Sequence, residues 1–224
     1  MTDAGPTLTR RMNSPRLAPR WLAFLIGVPL AWGVLLLFHG PGPGEDGVYE
    51  SLRDEASSWL IVHVGSVLFV GLMGAALYLL VRDVPGVAAR ISRLAIGPFV
   101  LFYAAGEAIL GVATGVLVEH ANDVPAGQRQ AAADAAQTLY DASVGELLIG
   151  VGAVAWVLAV IAAAVAYRRV GAPLAVSILL GLSAIAALHA PPTGPLGLLF
   201  FAGAVALLAY SQRAATSVAR AAPA

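Results

Sequence analysis

The sequence contains no cysteine and no lysine. Without cysteine there is no disulfide framework, no thiolate nucleophile and no Cys-ligated metal site. Without lysine there is no Schiff-base chemistry and no lysine-dependent phosphate loop. Charge of either sign is scarce: 12% of the 224 residues are charged, about half the ~25% of a typical globular chain. The thirteen basic residues are all arginine and are balanced by thirteen acidic ones, and no nucleic acid is expected as a partner. Arginine in place of lysine, with abundant Ala, Gly and Val, reads as codon bias in a GC-rich bacterial genome. Local catalytic signatures are missing too. There is no H-E-x-x-H, no G-x-S-x-G, no Walker loop and no G-x-G-x-x-G at a strand end.

What is present is apolar. Hydrophobic residues make up 59% of the chain and the mean hydropathy is +0.81, the composition of a membrane protein. Hydropathy and punctuation predict an all-α polytopic integral membrane protein with six transmembrane helices. The spans fall at about 21–39, 59–81, 94–118, 143–167, 173–189 and 194–210, giving a six-helix domain over 21–210. Residues 1–20, with three prolines and four arginines, read as a disordered cytoplasmic arm, and 211–224 as a cytoplasmic tail. The apolar run after Arg10-Arg11 is too long for a secretory h-region. Gly40-Pro-Gly-Pro-Gly44 stops the first span. Glu45–Ser58 reads as a short acidic surface helix. Gly127–Tyr140 reads as an extracytoplasmic helical segment before span four, with a pattern that allows it to run on into that span.

Six spans put both termini on one side, and arginine decides which side that is. Arg10, Arg11, Arg16, Arg20, Arg82, Arg90, Arg93, Arg168, Arg169, Arg213 and Arg220 fall on one face, and only Arg53 and Arg129 on the other. The basic face is the cytoplasm, so the expected topology is N-in/C-in in the cell membrane.

The ionisable groups inside the apolar runs are few. At ~1.5 Å rise per residue, Glu107 lies ~16 Å below the outer surface in span three, and His63 ~7 Å below it in span two. An ionisable group at such depth is a functional-site hypothesis by default. Trp59, His63 and Ser66 share one face of span two, and Tyr103, Glu107 and Thr114 one face of span three. Glu146 enters span four near the outer surface, and His189 ends span five there. His39 and His120 sit at interfaces, where histidine is comfortable without a special role. The pattern predicts an outward-facing polar pocket with Glu107, His63, Tyr103, Ser66 and Glu146 as ligand- or proton-binding candidates. No residue is singled out as catalytic.

Three function classes fit that pocket. The leading one is a non-enzymatic membrane protein that binds a small ligand, ion or proton in transport, sensing or an accessory role. The second is a redox protein or enzyme with haem or a divalent metal held by His63, His189 and Glu107. The third is a structural subunit whose acidic outer loops dock a protein partner. The bilayer is the common partner of all three, and the oligomeric state is not written in the sequence.

Overall fold

The structure is a computed structural model and describes residues 17–221. The expected disordered arm lies outside the described residues for positions 1–16, as do the last three residues of the tail. The described chain is helical throughout, without strands. Helices run over Pro19–Leu36 (α1), Val48–Leu52 (α2), Ala56–Val81 (α3), Val87–Asp123 (α4), Ala126–Tyr140 (α5), Ser143–Arg169 (α6), Leu174–Ala187 (α7) and Thr193–Ala221 (α8). Five stretches are long and apolar enough to cross a membrane, namely α1, α3, α4, the α5–α6 pair and α8. The segment expected as a fifth span, α7, is also apolar but shorter. It falls below the ~20 residues that a perpendicular crossing needs, and its last turn tightens to a 3₁₀ helix over Ser183–Ala187.

Several ends differ from the hydropathy reading for local reasons. Helix α1 begins at Pro19, in the first turn, where a missing N–H costs nothing. Helix α4 begins at Val87, well before residue 94, because its basic first turns pack instead of looping. Arg93 folds back there, and its guanidinium donates to the carbonyls of Val81 (2.8 Å) and Val84 (3.1 Å) at the end of α3. Helix α5 does not run unbroken into α6: Asp141 and Ala142 interrupt it, with Ala142 extended. Helix α8 continues to Ala221, beyond the expected end of span six.

Helix α4 is not a plain α-helix. It widens to π turns over Phe99–Tyr103 and again over Glu107–Ala113. The residue spacing accounts for this. Phe99, Tyr103, Glu107, Gly111 and Gly115 recur every four residues, and all are buried. In an α-helix each four-residue step drifts by about 40°, so five such residues would wind well around the axis. Wider i→i+5 turns cancel the drift. Thr114 Oγ1 donates at 3.4 Å to the carbonyl of Ile109, five residues back, at the end of the second wide segment.

The helices pack as α1 against α8 and α3, α4 against α6 and α3, and α7 against α8 and α6. Glycines on α4 and α6 permit the closest approaches. A Cβ on Gly152 would stand 2.5 Å from the backbone nitrogen of Tyr103, and one on Gly106 2.8 Å from that of Ile149. The main core fills the bundle and contains Trp156, Phe99, Phe201, Tyr167 and Trp32. A second, small core lies at one end of the bundle: Val48, Leu52, Ala56, Trp59, Val118 and Ala136. It joins α2 and α5 to the ends of α3 and α4 as a cap. Polar ties reinforce the cap, with Val48 N donating to Gln137 Oε1 at 2.8 Å and Tyr49 Oη to Asn122 Oδ1 at 3.0 Å.

Candidate metal centre

Three histidines from three different parts of the chain meet beneath the cap. One ring nitrogen from each of His39, His63 and His189 lies within 4.8 Å of the others. The ring centroids are 5.0 Å apart for His39–His63 and His39–His189, and 6.0 Å for His63–His189. Glu107 joins them from α4, with Oε2 3.9 Å from His63 Nε2 and Oε1 3.6 Å from His189 Nδ1.

Each histidine is placed by its own segment. His39 follows the end of α1, where the glycine- and proline-rich loop begins, and its Nδ1 is 2.6 Å from the carbonyl of Gly40. His63 lies one turn after Trp59 on α3, with Nδ1 2.8 Å from the Trp59 carbonyl. His189 sits in the turn between α7 and α8. Thr193 Oγ1 holds that turn by donating to the carbonyls of Leu188 (2.7 Å) and Ala190 (2.9 Å). Gly194 is required there because a Cβ would collide with the carbonyl of His189. Tyr103 Oη donates to the carbonyl of Ala187 at 3.1 Å and meets His189 Nδ1 at 3.1 Å.

The carbonyl contacts fix two of the tautomers. A carbonyl oxygen only accepts, so Nδ1 of a neutral His39 or His63 carries the hydrogen and Nε2 keeps the lone pair. The Tyr103 hydroxyl stands 3.1 Å from both the Ala187 carbonyl and His189 Nδ1, so it can accept from or donate to that nitrogen. Nε2 of His39 and of His63 is thereby left as a candidate ligand with an oxygen behind the opposite nitrogen, and His189 adds a ring nitrogen. Metal-bound histidines show this same arrangement.

The partner atoms on the ligand side are missing. His39 Nε2, Glu107 Oε1 and Glu107 Oε2 are buried and have no hydrogen-bond partner. Glu107 is 1% exposed, and an unpaired buried carboxylate costs several kcal/mol. A cation among the three imidazoles would satisfy all of these atoms together. Tetrahedral coordination at ~2.0 Å sets ligands ~3.3 Å apart. The observed separations therefore need only small side-chain adjustments to close on an ion.

The surroundings are tightly fitted. Trp59 packs on His63 with ring centroids 4.1 Å apart, and its Nε1 donates at 2.8 Å to the carbonyl of Gly111. Gly111 itself leaves room for His63, because a Cβ there would run into the imidazole. A cavity of about 230 Å³ adjoins the cluster, and Trp59, Leu110, Ile149, Tyr140 and Ala190 are among its walls. Below it the bundle is closed by aromatic packing: Phe99 lies 5.7 Å from Tyr103 and 5.0 Å from Trp156, which lies 6.2 Å from Phe201.

The residues expected at the site are distributed as follows. His63, Glu107, His189 and Tyr103 come together. Ser66 is buried but lies off the cavity, where its Oγ accepts from Trp32 Nε1 at 3.1 Å. Glu146 is exposed and is not among the cavity walls. His120 is exposed, away from the cluster. His39, which the sequence offered only as an interfacial residue, belongs to the cluster. The one available signal for it was its position at the outer end of a span, level with His189. No known family, curated protein or solved structure matches the chain.

Proposed function

We propose that the protein is a six-span integral membrane protein of the cell membrane, with both termini cytoplasmic, that holds a divalent transition-metal ion in an outward-facing pocket. His39 and His63 are its ligands through Nε2, His189 through a ring nitrogen, and Glu107 is a further ligand. The observation that carries this reading is the convergence of three imidazoles on a buried carboxylate whose two oxygens have no partner. Imidazole with carboxylate suits zinc and its first-row neighbours. The arginine distribution supports the orientation. The bond from Leu17 N to Gln212 Oε1 (3.0 Å), between residues near the two ends of the described chain, supports termini on one side. Tyr103 orients His189, while Ser66 and Glu146 serve packing and the helix terminus.

An ion fits better than haem, since a cavity of about 230 Å³ falls below the ~300–1,000 Å³ of pockets that enclose even drug-sized ligands. The aromatic floor beneath the site favours a resident ion over transported cargo. The test is elemental analysis of detergent-purified protein after incubation with zinc or cobalt, beside His63→Ala and His39→Ala. One ion per chain, lost in both variants, is expected. A wild-type protein that takes up neither metal would overturn the reading in favour of a metal-free ligand or proton site at Glu107.

A further inference from the structure

We infer that the cavity beside the three histidines takes a short-chain alkyl carboxylate, whose head completes the coordination of the ion and whose chain lies along Leu110, Ile149 and Trp59. The inference rests on the metal reading above and adds its occupant.

Charge is the first argument. A divalent cation with three neutral imidazoles and one carboxylate keeps a net charge of plus one. Glu107 is the only carboxylate among the described residues lining the cavity, so the chain offers no second anion. A buried net charge is strongly disfavoured unless it is paired. One monoanion neutralises the centre, and a dianion or a neutral molecule does not.

Shape is the second. The cluster is polar on one side only, and the rest of the cavity is walled by the Trp59 ring, Leu110, Ile149 and Ala190. A bare inorganic anion would leave that wall against water. The volume of about 230 Å³ lies below the ~300–1,000 Å³ of drug-sized ligand pockets, which is room for a small organic acid. A carboxylate head and a chain of about four to six carbons fill such a space. Tyr140, from the cap, lines the same cavity and brings a hydroxyl donor suited to a carboxylate oxygen.

Coordination is the third. Three imidazoles and Glu107 make four ligands, and the ion can expand to five-coordinate to take an exogenous group. The cavity is lined by the same four side chains, so such a group reaches the ion from it.

The test is a titration of cobalt-loaded, full-length protein in detergent with acetate, butyrate, hexanoate, octanoate and dodecanoate, read by the visible absorption of Co(II). Affinity is expected to rise about fourfold per methylene, the value of one buried CH₂, and to stop rising near hexanoate. Leu110→Ala should move that limit to longer chains. A cobalt spectrum that ignores carboxylates, or responds equally to every chain length, overturns the inference and leaves the metal site standing. A rise that continues through dodecanoate also overturns it, because the occupant is then a lipid-derived chain reaching out of the cavity. Failure of wild-type protein to bind cobalt at all overturns the metal reading and this inference together.

Discussion

The two halves of the bundle solve the same problem in opposite ways. Both bury polar atoms in an apolar medium where each unpaired one is costly. In the half away from the cap, the polar tips of large side chains are closed off by backbone. Tyr167 Oη donates to the Leu80 carbonyl at 2.6 Å and Trp156 Nε1 to the Ser183 carbonyl at 3.1 Å. Beneath the cap, the polar atoms point at one another and stop short. His39 Nε2 and both oxygens of Glu107 have no partner. The first arrangement is nearly complete in the chain alone: Trp21 Nε1, Ser92 Oγ and Ser177 Oγ are buried without a partner, each a single neutral group on a separate helix. Beneath the cap the unpartnered atoms are ionisable and belong to one cluster. What distinguishes a binding region from a packed one is therefore the clustering of unpaired ionisable atoms, not their mere presence.

Four substitutions break or sharpen that contrast, taken from the largest effect down. Trp156→Ala should cost about 3–5 kcal/mol of stability, as large aromatic truncations in cores do. It should leave metal stoichiometry unchanged, as measured by thermal denaturation and elemental analysis of the same preparation. His63→Ala should do the reverse. Metal affinity should fall by more than the ~10–100-fold typical of losses behind the ligands, while the metal-free protein loses less stability than Trp156→Ala does. Were both variants to lose stability and metal equally, the two halves would not be separate devices. Tyr103→Phe removes the hydroxyl that donates to the Ala187 carbonyl and meets His189 Nδ1. A drop of ~10–100-fold in metal affinity is expected, measured by competition with a chelator. Ser66→Ala strands Trp32 Nε1 inside the packed half and should cost about 1 kcal/mol, with no change in metal affinity.

The fold class was legible because bilayer-length apolar runs carry a strong signal. The aligned pair Tyr103–Glu107 on α4 and the pair Trp59–His63 on α3 were legible too, since one turn separates each pair. The convergence was harder. His39 and His189 lie in segments that end or follow helices, and hydropathy does not encode how those ends come together around the bundle. The π turns escaped notice for another reason. Hydrophobic periodicity assumes about 3.6 residues per turn, and along α4 the apolar residues on every side hide a four-residue repeat of Phe99, Tyr103, Glu107, Gly111 and Gly115. Glu146 and Ser66 show the converse limit, because depth along a helix is readable while its rotation toward a particular neighbour is not.

Trp59 is shared between two assemblies. It belongs to the small core of the cap, and it packs on His63 while bonding to the Gly111 carbonyl. A protein gripping the cap would therefore act on an ion bound at the site through this ring, as well as through Tyr140, which packs on the same small core and lines the cavity. Coupling of that kind is reciprocal: whatever factor the gripping partner applies to ion affinity, the ion applies to the partner's affinity. The cap would then work as a lever arm, and occupancy of the site would be felt by whatever binds the cap.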